Sequence, residues 1–320
     1  AASTTAKAPR CADSTLPPRQ ASTSTGLHCI VGTVAATHNR CMAPGMQTTP
    51  STALLGVDFT SAPSRRKPIT VAHGRRHGGV VHLAALQAVE SFAAFEAMLA
   101  APGPWLGAFD FPFGLPREFV ESMQLGADSG AVIGALRRRC ASRIELRRLV
   151  DAWNAPRCAA GQRLPHRHTD RAVPGITSTS PLQTRFVPVA FMYFEGLHRL
   201  VAADVHLPGL RDGDLQRTAV EAYPRLLAVE LIGRRSYKND ASAARRRARD
   251  DMVCALQHGS RRLGLRLQLS AAQRARLLDD ASGDLLDAVL CLVQAAWAAG
   301  RPRCGLPAAV DALEGWIVTT

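Results

Sequence analysis

Apolar positions first settle into a pattern at residues 54–60. Leu54-Leu55-Gly56-Val57-Asp58-Phe59-Thr60 reads as a strand that ends on a carboxylate and a hydroxyl. Ile69–Gly74 reads as a second strand. Arg75–Gly79 reads as a turn with two glycines, and Val80–Leu86 as a third strand. Together they predict an antiparallel meander. Phe92, Phe95, Met98 and Leu99 then fall at helical spacing behind Ser91, a good cap, and Pro102-Gly103-Pro104 stops that helix. Trp105–Asp110 reads as a fourth strand and again ends on a carboxylate, before a Pro/Gly loop over 111–116.

Helical patterns follow at Arg117–Leu125 and, without a break, at Ser129–Ala155. Residues 156–185 read as polar loop. Pro188–Leu200 is apolar and helical towards its end, and Pro208-Gly209 breaks the chain. Thr218–Tyr223 predicts a fifth strand stopped by Pro224, with a helix from Leu226 to Leu231. A charged stretch, Arg234–Asp251, precedes helical patterns at Met252–Leu263 and Ala271–Leu278. Asp284–Ala299 is the last helix, with a broad apolar face ended by Gly300 and Pro302. Strands four and five are each reached through helices, so right-handed crossovers can add them parallel to the first. The expected fold is α/β. Its mixed five-stranded sheet has three antiparallel strands and two parallel ones, flanked by helices and carrying helical insertions.

Residues 1–50 lack this periodicity. They are rich in Ala, Ser, Thr and Pro, and Leu27–Val34 is their one apolar patch. They predict a disordered N-terminal extension, with the folded domain at 51–320. Their composition also suits a transit peptide or an over-extended reading frame. The chain has 320 residues, 47% of them apolar, enough for one large domain or two small ones. No apolar run is long enough for a membrane span, and no secretory signal is evident. The 8 cysteines form no CxxC pair, which points to a reducing, cytoplasmic setting. The formal charge of +13 favours polyanionic partners, DNA or RNA first among them. Biased codon usage gives an Arg- and Ala-rich chain the same excess, so the charge carries modest weight.

Charge matters more where it is negative. Asp58 and Asp110 end two strands expected to be parallel neighbours, so both emerge at the carboxyl edge where open α/β sheets bind ligands. Asp284 and Asp287 share one face of the last helix, and Asp287 sits among apolar residues, where an unpaired charge is unfavourable. Each has an ordinary alternative: a turn residue at Asp58 or Asp110, an N-cap at Asp284, a first-turn charge at Asp287. Taken together, they predict a site for Mg2+ or Mn2+, with two ions expected. Asp58 would bridge them, Asp110 and Asp287 would complete the two positions, and Asp284 or Glu221 would assist. Glu221 reads equally well as a solvent-facing strand residue or a partner of Arg225. Arg163, His166 and Lys238 are candidate contacts to a substrate phosphate, a solvated basic face being the alternative. Cys158 with His166, His168 and Asp170 fits no standard zinc spacing. Neither a Gly-rich phosphate loop nor a GxSxG elbow occurs.

The motifs Gly56-Val57-Asp58-Phe59-Thr60, Phe109-Asp110-Phe111-Pro112-Phe113-Gly114-Leu115-Pro116, Glu221-Ala222-Tyr223-Pro224-Arg225 and Asp284-Leu285-Leu286-Asp287-Ala288 together resemble the domain of unknown function 429 family. Met192–Gly196 and Gly233–Lys238 are similar to it as well, so the likeness covers about residues 53–300. The resemblance implies a ribonuclease H-like fold and predicted nuclease activity, with Asp58, Asp110 and Asp287 as metal ligands. Asp284 matches the paired aspartates of the Holliday-junction resolvase branch of that superfamily. The expected activity is metal-dependent hydrolysis of nucleic-acid phosphodiesters. The alternatives are a non-catalytic nucleic-acid binder on the same fold and a phosphotransferase related to sugar kinases and actin.

Overall fold

The computed structural model describes residues 52–259 and 262–320, so the extension expected at 1–50 lies outside the described residues. The chain forms β1 (Ala53–Asp58), β2 (Ile69–His77), β3 (Val80–Val89), α1 (Phe92–Leu99) and β4 (Trp105–Phe109). Three helices follow: α2 (Arg117–Ser122), α3 (Ser129–Arg139) and α4 (Arg143–Ala159). Then come α5 (Val189–Ala202), β5 (Val205–His206), β6 (Asp214–Glu221) and α6 (Pro224–Ile232). The remainder is α7 (Ala243–His258), β7 (Arg266–Gln268), α8 (Ala271–Asp279) and α9 (Asp284–Ala299).

The sheet has seven strands in the order β5-β6-β4-β1-β2-β3-β7, not five. β1, β2 and β3 are the antiparallel meander, and β4 and β6 extend it parallel to β1. The two additional strands, β5 and β7, are edge strands of two and three residues, parallel to β6 and β3. Runs that short show no alternation to read. The hairpin turn is also tighter than expected. Arg75, Arg76 and His77 remain in β2, leaving Gly78-Gly79 as a two-residue loop. The long helix expected from Ser129 breaks at Cys140. Ser142 then caps α4 by accepting from the Glu145 amide, while the Glu145 carboxylate accepts from the Ala141 amide.

Alternation along the strands divides the core in two. Leu55, Val57 and Phe109 face the layer built by α1 to α5. Leu54, Leu106, Ala108 and Val220 face the layer built by α6 to α9. Within the second layer α9 lies directly on β1. At Gly56 a Cβ would stand 2.1 Å from the Ala288 carbonyl oxygen and 2.1 Å from the Leu292 amide nitrogen. Only glycine permits that approach. Residues 54, 56 and 58 share one face of β1, so the contact that seats Gly56 also aims Asp58 at the first turn of α9.

Candidate metal centre

Strand register fixes where each carboxylate emerges. Val57 pairs with Phe109, and Phe109 with Glu221. Asp58 and Asp110 lie one position further on, on the α9 side, and the Asp110 amide donates to the Val57 carbonyl. Asp287 comes from the first turn of α9, where the helix dipole favours negative charge. One carboxylate oxygen from each of Asp58, Asp110 and Asp287 lies within 4.8 Å of the others. Asp287 is buried, and Asp58 and Asp110 are half-buried.

Three carboxylates this close oppose their own ionisation. Burial pushes Asp58 well above the ordinary carboxylate range and Asp110 up to about 7. It raises Asp287 as well, and the neighbouring acids add to each shift. Lys238 is the counterweight. Its ammonium pairs with Asp287 and stands 3.8 Å from Asp284. Burial works against the ammonium, but Asp287, Asp58 and Asp110 outweigh that effect and hold its proton above the usual lysine range. The Tyr237 hydroxyl donates to the other oxygen of Asp287. Arg249, buried in α7, donates to the backbone carbonyls of Tyr237 and Leu278 and so ties down the loop that carries Tyr237 and Lys238.

One ammonium does not balance three converging carboxylates, with Asp284 beside them. An all-oxygen donor set with surplus negative charge suits a hard divalent cation. Asp58, Asp110 and Asp287 can hold such an ion, and no other such group of His, Cys, Asp or Glu occurs among the described residues. Cys158, His166, His168 and Asp170 therefore form no metal site. Asp284 flanks the triad on its Lys238 side. It is the first residue of α9, and Gly283 rather than Asp284 is the N-cap.

Glu221 points elsewhere. In register with Phe109, it projects to the opposite face of the sheet from the triad, where Arg167 grips both its oxygens at 2.6 and 2.8 Å. The Phe113 amide donates to it as well. Its partner is thus Arg167, not Arg225. Arg167 also donates to Asp170 and to the Glu314 carbonyl, so all its guanidinium hydrogens are engaged. Nothing local in the sequence announces this, because Arg167 lies in a loop and meets Glu221 across 54 residues.

Two cavities meet at Asp110 and Tyr223. The larger, of about 330 Å³, is lined by Asp110, Asp287, Lys238, Arg225, Arg234 and Arg245 among others. The smaller, of about 180 Å³, has Asp110 at one end and is otherwise mainly apolar. Of the candidate phosphate contacts, only Lys238 reaches the triad. Arg163 and His166 line a third cavity that contains none of its carboxylates. No helix among the described residues is long and apolar enough to cross a membrane. No curated protein and no solved structure gives a significant match to the chain. A family model described as Protein of unknown function (DUF429) matches residues 56–311, a span that holds every acidic residue of the centre and most of the sheet. The chain belongs to the DUF429 family.

Proposed function

We propose that this protein is a divalent-metal-dependent nuclease, and that its mixed sheet is of the ribonuclease H-like kind. The observation that carries the reading is the Asp58, Asp110 and Asp287 triad, two of whose members, Asp110 and Asp287, line an arginine-rich cavity. That pairing brings a cation site and an anion site together, as cleavage of a phosphodiester requires. Mg2+ or Mn2+, when bound, supplies water activation and neutralises charge developing on the phosphate, two ions sharing these roles. Asp58, at the end of the central strand, is central to the cluster. Asp110 and Asp287 would complete the cation site beside it. Asp284 supports the flank, and Lys238 balances charge. Arg225, Arg234 and Arg245 hold the substrate backbone along the cavity. In the reaction a water oxygen bonds to phosphorus and the bond from phosphorus to one sugar oxygen breaks. The products are a phosphomonoester and a free hydroxyl. Glu221 and Arg167 take no part in bond breaking. They set the end of β6 from the far face of the sheet.

The test is cleavage of a labelled panel in Mg2+ and in Mn2+: single strand, duplex, DNA–RNA hybrid and four-way junction, with Asp58→Asn run in parallel. Metal-dependent cleavage lost in the variant is the expected result. Binding without cleavage, with a steep salt dependence, would overturn the proposal in favour of a non-catalytic binder. Equal traces of cleavage in both proteins would mark a contaminating nuclease.

A further inference from the structure

The smaller cavity beside Asp110 has a different chemistry from its neighbour. Its walls include Pro112, Val187, Val189, Met192 and Tyr223. Arg167 and Glu221 also border it, but they are spent on each other, so they offer polarity without a free charge. Thr179, exposed at the rim, adds a hydroxyl. At about 180 Å³ the space suits one heteroaromatic ring system better than a whole nucleotide. Asp110 and Tyr223 thus have an apolar slot on one side and an arginine-lined channel on the other. A nucleotide divides in the same way, into a flat apolar base and an anionic backbone.

A second observation comes from the loop at the slot's mouth. Val187 lines the slot and is 58% exposed, and its neighbour Phe186 is 100% exposed. Phe186 also holds a φ of +59°, which is unfavourable for a bulky side chain. The loop is fastened behind by Arg147, whose guanidinium donates to the Thr184 carbonyl. An aromatic ring set fully in water, on a tethered loop at the mouth of an apolar slot, has the exposure and placement that base stacking uses.

We propose that the slot receives the unstacked base of a nucleotide adjoining the scissile phosphate, while Phe186 stacks on the next base. The substrate is then single-stranded nucleic acid, or a strand opened locally. This rests on the nuclease reading and narrows its substrate class.

The experiment is equilibrium binding of short labelled single strands of DNA and RNA, and of the matching duplexes. Ca2+ replaces Mg2+ to suppress cleavage. Wild type is compared with Phe186→Ala and Val187→Trp, the second of which fills the slot mouth. Phe186 buries no surface, so its loss leaves thermal unfolding unchanged and the variant stays folded. Wild type is expected to prefer the single strand. Phe186→Ala should weaken that binding about 5- to 150-fold, in line with loss of one base-stacking contact. Val187→Trp should weaken it as well, and duplex binding should barely move in either variant. Single-strand binding unchanged in both variants would overturn the slot and leave the nuclease reading standing. Failure of wild type to bind any nucleic acid would overturn both.

Discussion

Two charged clusters lie at the carboxyl edge of the same sheet, on opposite faces. Every N–H of the Arg167 guanidinium has an acceptor. Glu221 and Asp170 neutralise the guanidinium and add a surplus charge, which the Phe113 amide, the Arg167 amide and the Ser178 hydroxyl help to disperse. Around Asp58, three carboxylates converge on a single ammonium and their pKa values rise. The first cluster is closed by its hydrogen bonds, although burial raises the Glu221 carboxyl above its ordinary range there too. The second is held short of balance, as sites awaiting a cation are. Position at the strand ends is shared, so position alone does not mark a functional carboxylate. The two clusters differ in how much negative charge is left over, which is larger around Asp58.

The comparison is most sharply tested by breaking the closed cluster. Arg167→Met leaves Glu221 and Asp170 buried with no counter-ion, and should destabilise the fold by about 3–5 kcal/mol. A fall in the urea midpoint at constant slope would show it. Adding Glu221→Gln to that variant should recover part of the loss, because one stranded charge is removed. A midpoint within error of wild type would mean that the network is ornamental.

In the open cluster the large effect falls on activity. Asp58→Asn should lower metal-dependent cleavage by at least about 100-fold, on the scale of losing one essential electrostatic group. Its unfolding midpoint in chelator should be no lower than that of wild type. Lost stability together with lost activity would place Asp58 among the structural residues and erase the contrast with Arg167.

Asp110 gives a stability effect with a defined pH dependence. It titrates at about 7 in the fold, against an ordinary value of 3.8. The folded value is the higher one. Its stabilising contribution is therefore complete below about pH 4 and lost as pH rises through about 7. Asp110→Asn avoids that loss. In chelator at pH 8 the variant should be more stable than wild type by up to about 4 kcal/mol, the size of a shift from 3.8 to about 7, and should melt several degrees higher. At pH 4 the two should coincide. Equal melting at both values would show that Asp110 is not strained by its neighbours.

The open cluster was also the more legible of the two in the sequence. Asp58 and Asp110 stand at the ends of apolar runs, and α9 spans the same residues, Asp284–Ala299, that its periodicity predicts. These are local signals. Membership of Glu221 depended on the register between β4 and β6, which sends alternate side chains to opposite faces. The burial of Arg167 depended on a carboxylate 54 residues away, and that of Arg249 on carbonyls of a loop it anchors. Period and spacing hold no record of such contacts. The break between α3 and α4 did leave a local trace, since Ser142-Arg143-Ile144-Glu145 places Ser142 three residues before Glu145, the spacing of a helix start.

The finest probe of the contrast is Lys238, the one cation paired with the open cluster's carboxylates among the described residues. Its ammonium and a bound divalent ion answer the same surplus of negative charge. If they compete, Lys238→Gln makes the metal-free cluster more repulsive and the carboxylates more receptive. Mn2+ should then bind more tightly to the variant by calorimetric titration. The gain should be modest, roughly threefold or about 0.65 kcal/mol. The variant also loses the pairing that holds Asp287 in place, which limits the gain. The metal-free variant should also unfold at lower urea than wild type and regain the difference when Mn2+ is added. Weaker Mn2+ binding would reverse the assignment. It would mean that Lys238 holds Asp287 and its neighbours in a geometry the ion needs, and that the open cluster, like the one around Arg167, is built around its own base.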